Sequence, residues 1–268
     1  MVLEEGQSYL LNEVELFVSN EVYEHYPPAQ PLLASLKAVE CRQPSLVLTV
    51  HEGLQGVGYH DRLIELAWFK DGQKKPVSFA VDYSQTISSI QSFPAPKQGA
   101  FNQALGRKSK VILDVTGGWG GDAMLMATQG YRVTVIERNP LMALMMHEAF
   151  ARAHAFVLRS GIQLKIPTVI LADSISAVSS YTEDIDCAYV DPMFPPKRKK
   201  SAAVNKKMQL LQWLIGEDSD ASDLLASVID AGITRVAVKR PSYAVPLLKK
   251  PEQQFSSKLV HYDVYLNK

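Results

Sequence analysis

The hydrophobic and polar positions of this chain follow one pattern up to about residue 91 and a different one beyond residue 98. In the first part, from about Ser45, three short runs rich in β-branched and aromatic residues alternate with polar stretches: LVLTV (46–50), LIELAWF (63–69) and VSFAVD (77–82). Short runs of this kind are typical of antiparallel strands. The pattern therefore predicts a small N-terminal sheet, and residues 1–45 are assigned no function.

In the second part, strands alternate with helices after a segment rich in proline, glycine and polar residues (92–99). The predicted strands lie near 111–115, 132–137, 168–172, 188–191, 235–239 and 260–266, with helices from Gly121 and Pro140 and near 204–214 and 222–231. Crossover helices between strands indicate a doubly wound, mainly parallel sheet. We predict an α/β fold with two domains, a small β-rich one at 1–98 and a larger one at 99–268.

Composition is that of an ordinary globular protein, with 47% hydrophobic and 21% charged residues. No apolar run approaches the roughly 20 residues that a membrane-spanning helix needs, so we expect a cytoplasmic protein. Cys41 and Cys187 lie far apart and have no metal-ligand spacing around them. Neither a disulfide framework nor a metal site is expected.

The charge balance is neutral, with 28 basic and 28 acidic residues, but the charges are unevenly distributed. Between residues 1 and 36 every formal charge is acidic, and between 192 and 216 every one is basic. A uniformly basic nucleic-acid-binding surface is therefore excluded. A polyanion would be attracted to one face only.

The first chemical signal is the glycine-rich sequence VILDVTGGWGGDA (111–123), in which Asp114 ends a predicted strand and four glycines lead into a helix. Glycine lets a ligand approach the backbone closely, so we predict cofactor contacts at Asp114, Gly118 and Gly120. Glu137 ends the next strand, about 20 residues on, where an acidic side chain can bind a nucleotide ribose. Gly118, Gly120 and Ala123 also fit a dinucleotide fingerprint, which leaves a nucleotide-dependent oxidoreductase open.

The second signal is DPMFPP (191–196), which follows the apolar strand CAYV and so lies at the same sheet edge as the glycine turn. It resembles the acidic-Pro-Pro-aromatic motif of amino methyltransferases. In that motif the acidic side chain and the next carbonyl accept hydrogen bonds from an exocyclic amine, and the aromatic ring stacks on the base. By this resemblance Asp191, Pro192 and Phe194 form the catalytic site, although Met193 replaces the second proline.

From about Leu46 to the C-terminus, the sequence is similar to the RsmJ family, bacterial methyltransferases that modify the exocyclic N2 of a guanosine in small-subunit (16S) ribosomal RNA. The similarity lies in DVTGGWGGDA (114–123), ERNP (137–140), YVDPMFPPKRKKSA (189–202), VKRPSYAVPL (238–247) and HYDVY (261–265). It implies a class I, Rossmann-like methyltransferase fold and S-adenosylmethionine as cofactor. The implied cofactor contacts are Gly121, Asp122, Glu137, Arg138, Asp173, Ser174 and Asp191.

The basic residues around the reaction motif are candidates for binding the phosphates that flank the target nucleotide. They are Lys197, Arg198, Lys199, Lys200, Lys206, Lys207, Lys239 and Arg240, with Tyr243 beside the last two. A solvated loop and helix face is the alternative for the first six. The expected partner is small-subunit ribosomal RNA, alone or within the assembled subunit, while His261 is interpreted as a strand residue.

The predicted mechanism is methylation of a guanosine that is splayed out of its stack and held by Phe194 and Asp191. Orientation and desolvation suffice for in-line attack by the amine, because the methyl donor is already activated; no metal is expected. An adenine or a protein glutamine remains an alternative substrate. A noncatalytic ribosome-assembly protein on the same fold is the alternative from another class.

Overall fold

The structure is a computed structural model that describes residues 5–40, 43–52, 62–70, 72, 75–90, 92–193, 206–215 and 219–267. Its first sheet has six strands in the order β3-β1-β2-β4-β5-β6. They are β1 (Gly6–Leu11), β2 (Val14–Ser19), β3 (Lys37–Ala38), β4 (Leu46–Glu52), β5 (Arg62–Trp68) and β6 (Val77–Phe79). All neighbouring strands are antiparallel except β2 and β4. The three predicted runs correspond to β4, β5 and β6, whereas β1 to β3 were not predicted.

The second sheet has seven strands in the order β12-β13-β11-β10-β7-β8-β9. They are β7 (Val111–Asp114), β8 (Arg132–Glu137), β9 (Thr168–Leu171), β10 (Cys187–Val190), β11 (Arg235–Pro241), β12 (Gln253–Ser256) and β13 (Val260–Leu266). Strands β7 to β11 are parallel, and β13 pairs antiparallel with both β11 and β12. The prediction of a doubly wound, mainly parallel sheet is confirmed.

The described helices are α1 (Asn20–His25), α2 (Ala29–Leu33), α3 (Ser84–Ser88), α4 (Gly99–Leu105), α5 (Gly121–Thr128), α6 (Pro140–Ser160), α7 (Ser174–Ala177), α8 (Lys206–Ile215) and α9 (Ala221–Asp230). The longest helix, α6, begins and ends at residues that are typical of helix ends. The Asn139 side chain accepts hydrogen bonds from the first-turn amides of Leu141 and Met142, and Pro140 occupies the first turn. At the other end Gly161 adopts the left-handed conformation that terminates a helix. In the part of the chain described, no helix is both long and apolar enough to cross a membrane.

The two sheets share one hydrophobic core. Leu48 and Trp68 of the first sheet belong to the same buried cluster as Met145 and Phe150 of α6. Helix α2 and strand β5 both contact α6, so the first sheet covers a helix of the second. The division into domains at residues 98 and 99 stays a prediction.

The order of the strands in the second sheet indicates where a ligand would bind. The chain runs from β7 outward through β8 to β9, and then returns to the other side of β7 with β10 and β11. The order therefore reverses between β7 and β10, and in such sheets ligands bind in the crevice outside the carboxyl ends of the strands at this point. Asp114, Glu137 and Asp191 end or follow β7, β8 and β10 at this edge.

Candidate active site

A cavity of about 470 Å³ opens at the carboxyl edge where the strand order reverses. Nine of the ten residues predicted to contact the cofactor line it: Asp114, Gly118, Gly121, Asp122, Glu137, Arg138, Asp173, Ser174 and Asp191. The tenth, Gly120, lies behind the turn in a left-handed conformation (φ 71°). A side chain there would meet the Tyr83 hydroxyl at 2.5 Å and the Met146 sulfur at 2.8 Å. Close packing against Tyr83 and Met146 therefore explains why position 120 is a glycine.

Glu137 fixes the glycine turn against the next helix. Its carboxylate is buried and accepts a hydrogen bond from the Gly118 amide on one oxygen and from the Asn139 amide on the other, both at 2.7 Å. Gly118 itself has a positive φ of 56°, which favours glycine. Glu137 was predicted to bind the cofactor because it lies about 20 residues after the glycine turn, and it also fixes the backbone of that turn.

Asp114 is 2% exposed and lies beneath the site. Its carboxylate accepts hydrogen bonds from the Thr116 amide at 3.0 Å and from the Thr116 hydroxyl at 3.3 Å. The same hydroxyl accepts from the Asp191 amide at 2.7 Å, which joins the ends of β7 and β10. Burial, reinforced by the charges of Asp122 and Asp191, raises the pKa of Asp114 to about 7.

Lys239 bridges two carboxylates that line the cavity. Its ammonium lies 2.8 Å from an oxygen of Asp122 and 2.8 Å from an oxygen of Asp191. The Tyr189 hydroxyl donates to the same Asp122 oxygen at 2.6 Å. Burial lowers the pKa of Lys239, but the two carboxylates outweigh this effect and raise it above its ordinary value. Lys239 is therefore a permanent cation inside the site.

Two residues predicted to bind RNA are placed differently from that prediction. Lys239 faces the cavity and pairs with its two aspartates. Arg240 is 6% exposed, and its guanidinium donates to the Val245 carbonyl at 2.6 Å. Both line the cavity, so neither extends a basic outer surface.

The remaining predicted residues fall into three groups. Pro192 lines the cavity, as expected for the reaction motif. Phe194, Lys197, Arg198, Lys199 and Lys200 lie outside the described residues, and Lys206 and Lys207 begin α8 with side chains that are also outside the description. His261 is buried in β13, as interpreted from the sequence, with Nε2 3.5 Å from an Asp263 oxygen.

The rim of the site is formed by the loops after β8 and β9. The Asp173 side chain caps α7 by accepting from the Ile175 amide at 3.3 Å, and the Ser174 hydroxyl donates to the Val115 carbonyl at 2.7 Å. Arg138 forms an ion pair with Asp220 across this rim. These contacts hold together loops from different parts of the chain.

Further lining residues were not predicted as site residues. Thr116, Trp119, Tyr189 and Met193 each lie within two residues of a predicted one, so proximity along the sequence was an available signal for them. Leu211, Gln212, Ile215 and Leu224 lie on α8 and α9, where proximity along the sequence gave no such signal. Within the described residues, no group of three His, Cys, Asp or Glu side chains is placed to hold a metal ion.

The cavity fits an adenosine-containing cofactor in three respects. A side chain at Gly121 would project into open space, so a ligand has access to the backbone at the start of α5. Glu137 places a carboxylate at the end of β8, where ribose hydroxyls are bound in nucleotide-binding sheets. Trp119 lines the cavity, and its indole Nε1 is buried without a hydrogen-bond partner among the described residues.

Comparisons with known proteins agree with this geometry. A family model described as "Putative SAM-dependent methyltransferase" matches residues 43–267. A Legionella pneumophila protein named ribosomal RNA small subunit methyltransferase J is 38% identical over 187 residues, which cover 69% of this chain and 74% of the relative. A protein of the same name from Shewanella sediminis is 34% identical over 74% of this chain and 78% of its own.

Among solved structures, the chain is similar to a SAM-dependent methyltransferase from Neisseria gonorrhoeae, with a TM-score of 0.58 and 21% identity. The match covers 94% of this chain and 95% of that one. At this level of identity the similarity concerns the fold. It extends over both sheets, because 94% of the chain cannot be covered by the second sheet alone.

Proposed function

The chain belongs to the ribosomal RNA small subunit methyltransferase J family of SAM-dependent methyltransferases, and on this premise we propose that it methylates the exocyclic N2 amine of a guanosine in 16S ribosomal RNA. The names of the relatives support small-subunit ribosomal RNA as the substrate. The single observation that supports an amine as the acceptor is the position of Asp191 and Pro192. Both line the cavity that contains nine of the predicted cofactor residues.

S-adenosylmethionine, when bound, supplies a methyl group that is already activated for transfer. The residues of the chain therefore mainly bind and orient the amine. The Asp191 carboxylate and the Pro192 carbonyl accept hydrogen bonds from the amine, which aims the nitrogen lone pair away from them and toward the methyl group. Lys239 keeps the Asp191 carboxylate in place from the other side.

The bound amine loses one proton as the new bond forms. Asp191 or water accepts it. Lys239 does not, because an ammonium has no acceptor and the two aspartates raise the pKa of this group above its ordinary value. Asp114 also lines the cavity and is linked to the backbone amide of Asp191 through the Thr116 hydroxyl.

The experiment that tests this proposal is in vitro methylation with mass spectrometry of the products. Unmethylated 16S transcript and small ribosomal subunits are each incubated with the protein and isotopically labelled S-adenosylmethionine, then digested to nucleosides. Labelled N2-methylguanosine is the expected product. Labelled N6-methyladenosine would indicate that adenine, not guanine, is the substrate. Label in the protein fraction would indicate a protein substrate. Cofactor and RNA binding without any transfer would indicate a noncatalytic assembly protein.

A further inference from the structure

Exposed hydrophobic side chains are concentrated beside the mouth of the cavity. Among the described residues, eight large hydrophobic side chains are exposed, and four of them lie in two short segments that follow β11 and precede β13. These four residues, which we call the rim patch, are Tyr243 (56% exposed), Val245 (74%), Leu248 (42%) and Leu259 (75%). Single exposed apolar residues are ordinary, but a group at one place indicates a binding surface.

The rim patch begins where the cavity wall ends. Pro241 and Val260 line the cavity and are paired across β11 and β13. The next residue on each strand continues this pairing, because the Ser242 amide donates to the Leu259 carbonyl at 3.0 Å. Tyr243 and Leu259 therefore lie within two residues of side chains that line the cavity.

Two buried side chains form hydrogen bonds with the backbone of the segment that carries most of the rim patch. The Arg240 guanidinium donates to the Val245 carbonyl at 2.6 Å, and the Tyr265 hydroxyl donates to the Lys249 carbonyl at 3.2 Å. Arg240 and Tyr265 are both buried. Because three separate contacts fix residues 242–249, the exposed side chains are presented on an ordered backbone, which lowers the entropic cost of binding.

The charges around the rim patch favour an anionic partner. Residues 242–259 contain three lysines, Lys249, Lys250 and Lys258, against one acidic residue, Glu252, which gives a net charge of +2 in a chain that is neutral overall. All three lysines are exposed. A second copy of the chain would bring these lysines toward each other across a twofold axis, which disfavours self-association through this face.

From these observations we propose that the rim patch binds single-stranded nucleotides flanking the target, with one base stacked on the Tyr243 ring and the adjoining phosphates beside the lysines. This inference rests on the proposed function and adds a second RNA contact to it. Nucleic-acid-binding proteins use this combination of aromatic platforms and basic residues on single strands, because every base has a face that can stack. Val245 and Leu259 extend the apolar surface on which the base or its sugar lies.

The test compares matched variants in equilibrium binding to the 16S transcript and to small subunits. Tyr243→Ala should raise the Kd by roughly fivefold to a hundredfold, the range expected for one lost base stack. Tyr243→Trp should stay within about twofold of wild type because it retains a stacking ring. Two controls change exposed side chains outside the rim patch. Tyr181→Ala is the control for Tyr243→Ala, and Leu158→Ser is the control for a Leu259→Ser variant of the rim patch. Neither control should change the Kd.

Salt titrations separate stacking from charge. Tyr243→Ala should lower affinity without changing the slope of log K against log salt, whereas Lys258→Ala should reduce the slope by up to about 0.7 to 0.9. S-adenosylhomocysteine binding should be unchanged in every variant, because no rim-patch residue lines the cavity. Ultraviolet cross-linking should join Tyr243 to a nucleotide near the modified position.

Three outcomes would overturn the inference. Unchanged RNA affinity of Tyr243→Ala, with wild-type protein still binding and methylating the RNA, would refute the rim patch and leave the proposed function intact. A loss of affinity for subunits but not for naked RNA would point to a ribosomal protein as the partner. A loss of self-association in sedimentation, with RNA affinity unchanged, would assign the patch to a second copy. If wild-type protein neither binds nor methylates the RNA, the proposed function itself fails.

Discussion

The ammonium of Lys239 lies 2.8 Å from a carboxylate oxygen of Asp191, the residue placed to accept the target amine. The register of β10 and β11 explains this distance, because Val190 and Val238 are paired and the next residues follow them at the carboxyl edge. The same ammonium also holds Asp122, so one cation faces two carboxylates. Lys239 is therefore expected to position Asp191.

Lys239→Met tests this role because methionine keeps the length of the side chain and removes its charge. We expect single-turnover methyl transfer to fall roughly tenfold to a hundredfold, the equivalent of one lost hydrogen bond between charged groups. Quenched-flow measurements under single-turnover conditions would show this loss.

Lys239→Arg should recover part of the rate, since it restores the charge. Lys97→Met is a matched control: Lys97 is a partly buried lysine elsewhere, with its ammonium over the Tyr131 ring and donating to the Ser109 carbonyl. A wild-type single-turnover rate in Lys239→Met would contradict the positioning role. Weaker S-adenosylhomocysteine binding with an unchanged rate at saturation would assign Lys239 to the cofactor.

Asp191→Ala should abolish methyl transfer, because the change removes the carboxylate that accepts hydrogen bonds from the target amine. The protein should remain folded, because the backbone amide of residue 191 keeps its hydrogen bond to the Thr116 hydroxyl. A radiolabel assay with a melting curve would measure both properties. Asp184→Asn, in the exposed loop at the opposite end of β10, is expected to behave as wild type. Near-normal transfer by Asp191→Ala would place the reaction centre elsewhere.

Glu137→Ala should weaken binding of S-adenosylmethionine and S-adenosylhomocysteine by roughly tenfold to a hundredfold, since a buried carboxylate that shapes the glycine turn is lost. Calorimetry would measure the affinities. Asn139→Ala is the control for a purely structural effect, because Asn139 caps α6 and does not line the cavity. It should cost about 1 kcal/mol of folding stability and leave affinity nearly unchanged. Equal losses of affinity in both variants would contradict a binding role for Glu137.

The sequence allowed the second sheet and most of its site to be predicted, for physical reasons that are visible in particular residues. Strands β8 and β13 were predicted with their observed bounds because apolar residues are dense and polar breaks are sharp. Parallel strands bring their carboxyl ends together, so Asp114, Glu137 and Asp191 could be assigned to one cavity from strand ends alone.

Other features could not be predicted because they depend on tertiary contacts. Lys239 was assigned to RNA because, together with Arg240 and Tyr243 in VKRPSY, it suggested an extension of the basic surface. Only the pairing of β11 with β10 shows that it faces two aspartates. Gly120 was assigned to the cofactor, but Tyr83 and Met146, distant in sequence, occupy the space beside it. Strands β1 and β3 leave most of their residues partly or fully exposed, which weakens their hydrophobic pattern.

Replacing Lys197, Arg198, Lys199 and Lys200 together by alanine tests the basic segment after the reaction motif, which lies outside the described residues. We expect weaker RNA binding and a flatter salt dependence, with each lost phosphate contact removing up to about 0.7 to 0.9 from the log-log slope. Cofactor affinity should hardly change. Equilibrium binding at several salt concentrations, on naked RNA and on small subunits, measures the slope. Wild-type affinity and slope on both substrates would indicate a solvated loop.

The buried Asp114 predicts how stability depends on pH. Burial raises its pKa from 3.8 to about 7, so between these values the folded protein retains a proton that the unfolded chain releases. Stability should therefore fall as the pH rises through this window and level off above about 7, by an upper bound of roughly 4 kcal/mol. Asp114→Asn keeps an oxygen to accept from Thr116 and removes the charge, so its melting temperature should exceed that of wild type increasingly between about pH 5 and pH 7 and by a constant amount above that. Asp186→Asn is the control, because hydrogen bonds from the Lys110 and Val111 amides lower the pKa of Asp186, which leaves it ionised throughout this range. Its offset from wild type should be constant, and parallel melting curves for Asp114→Asn as well would show that Asp114 is ionised at the lower pH.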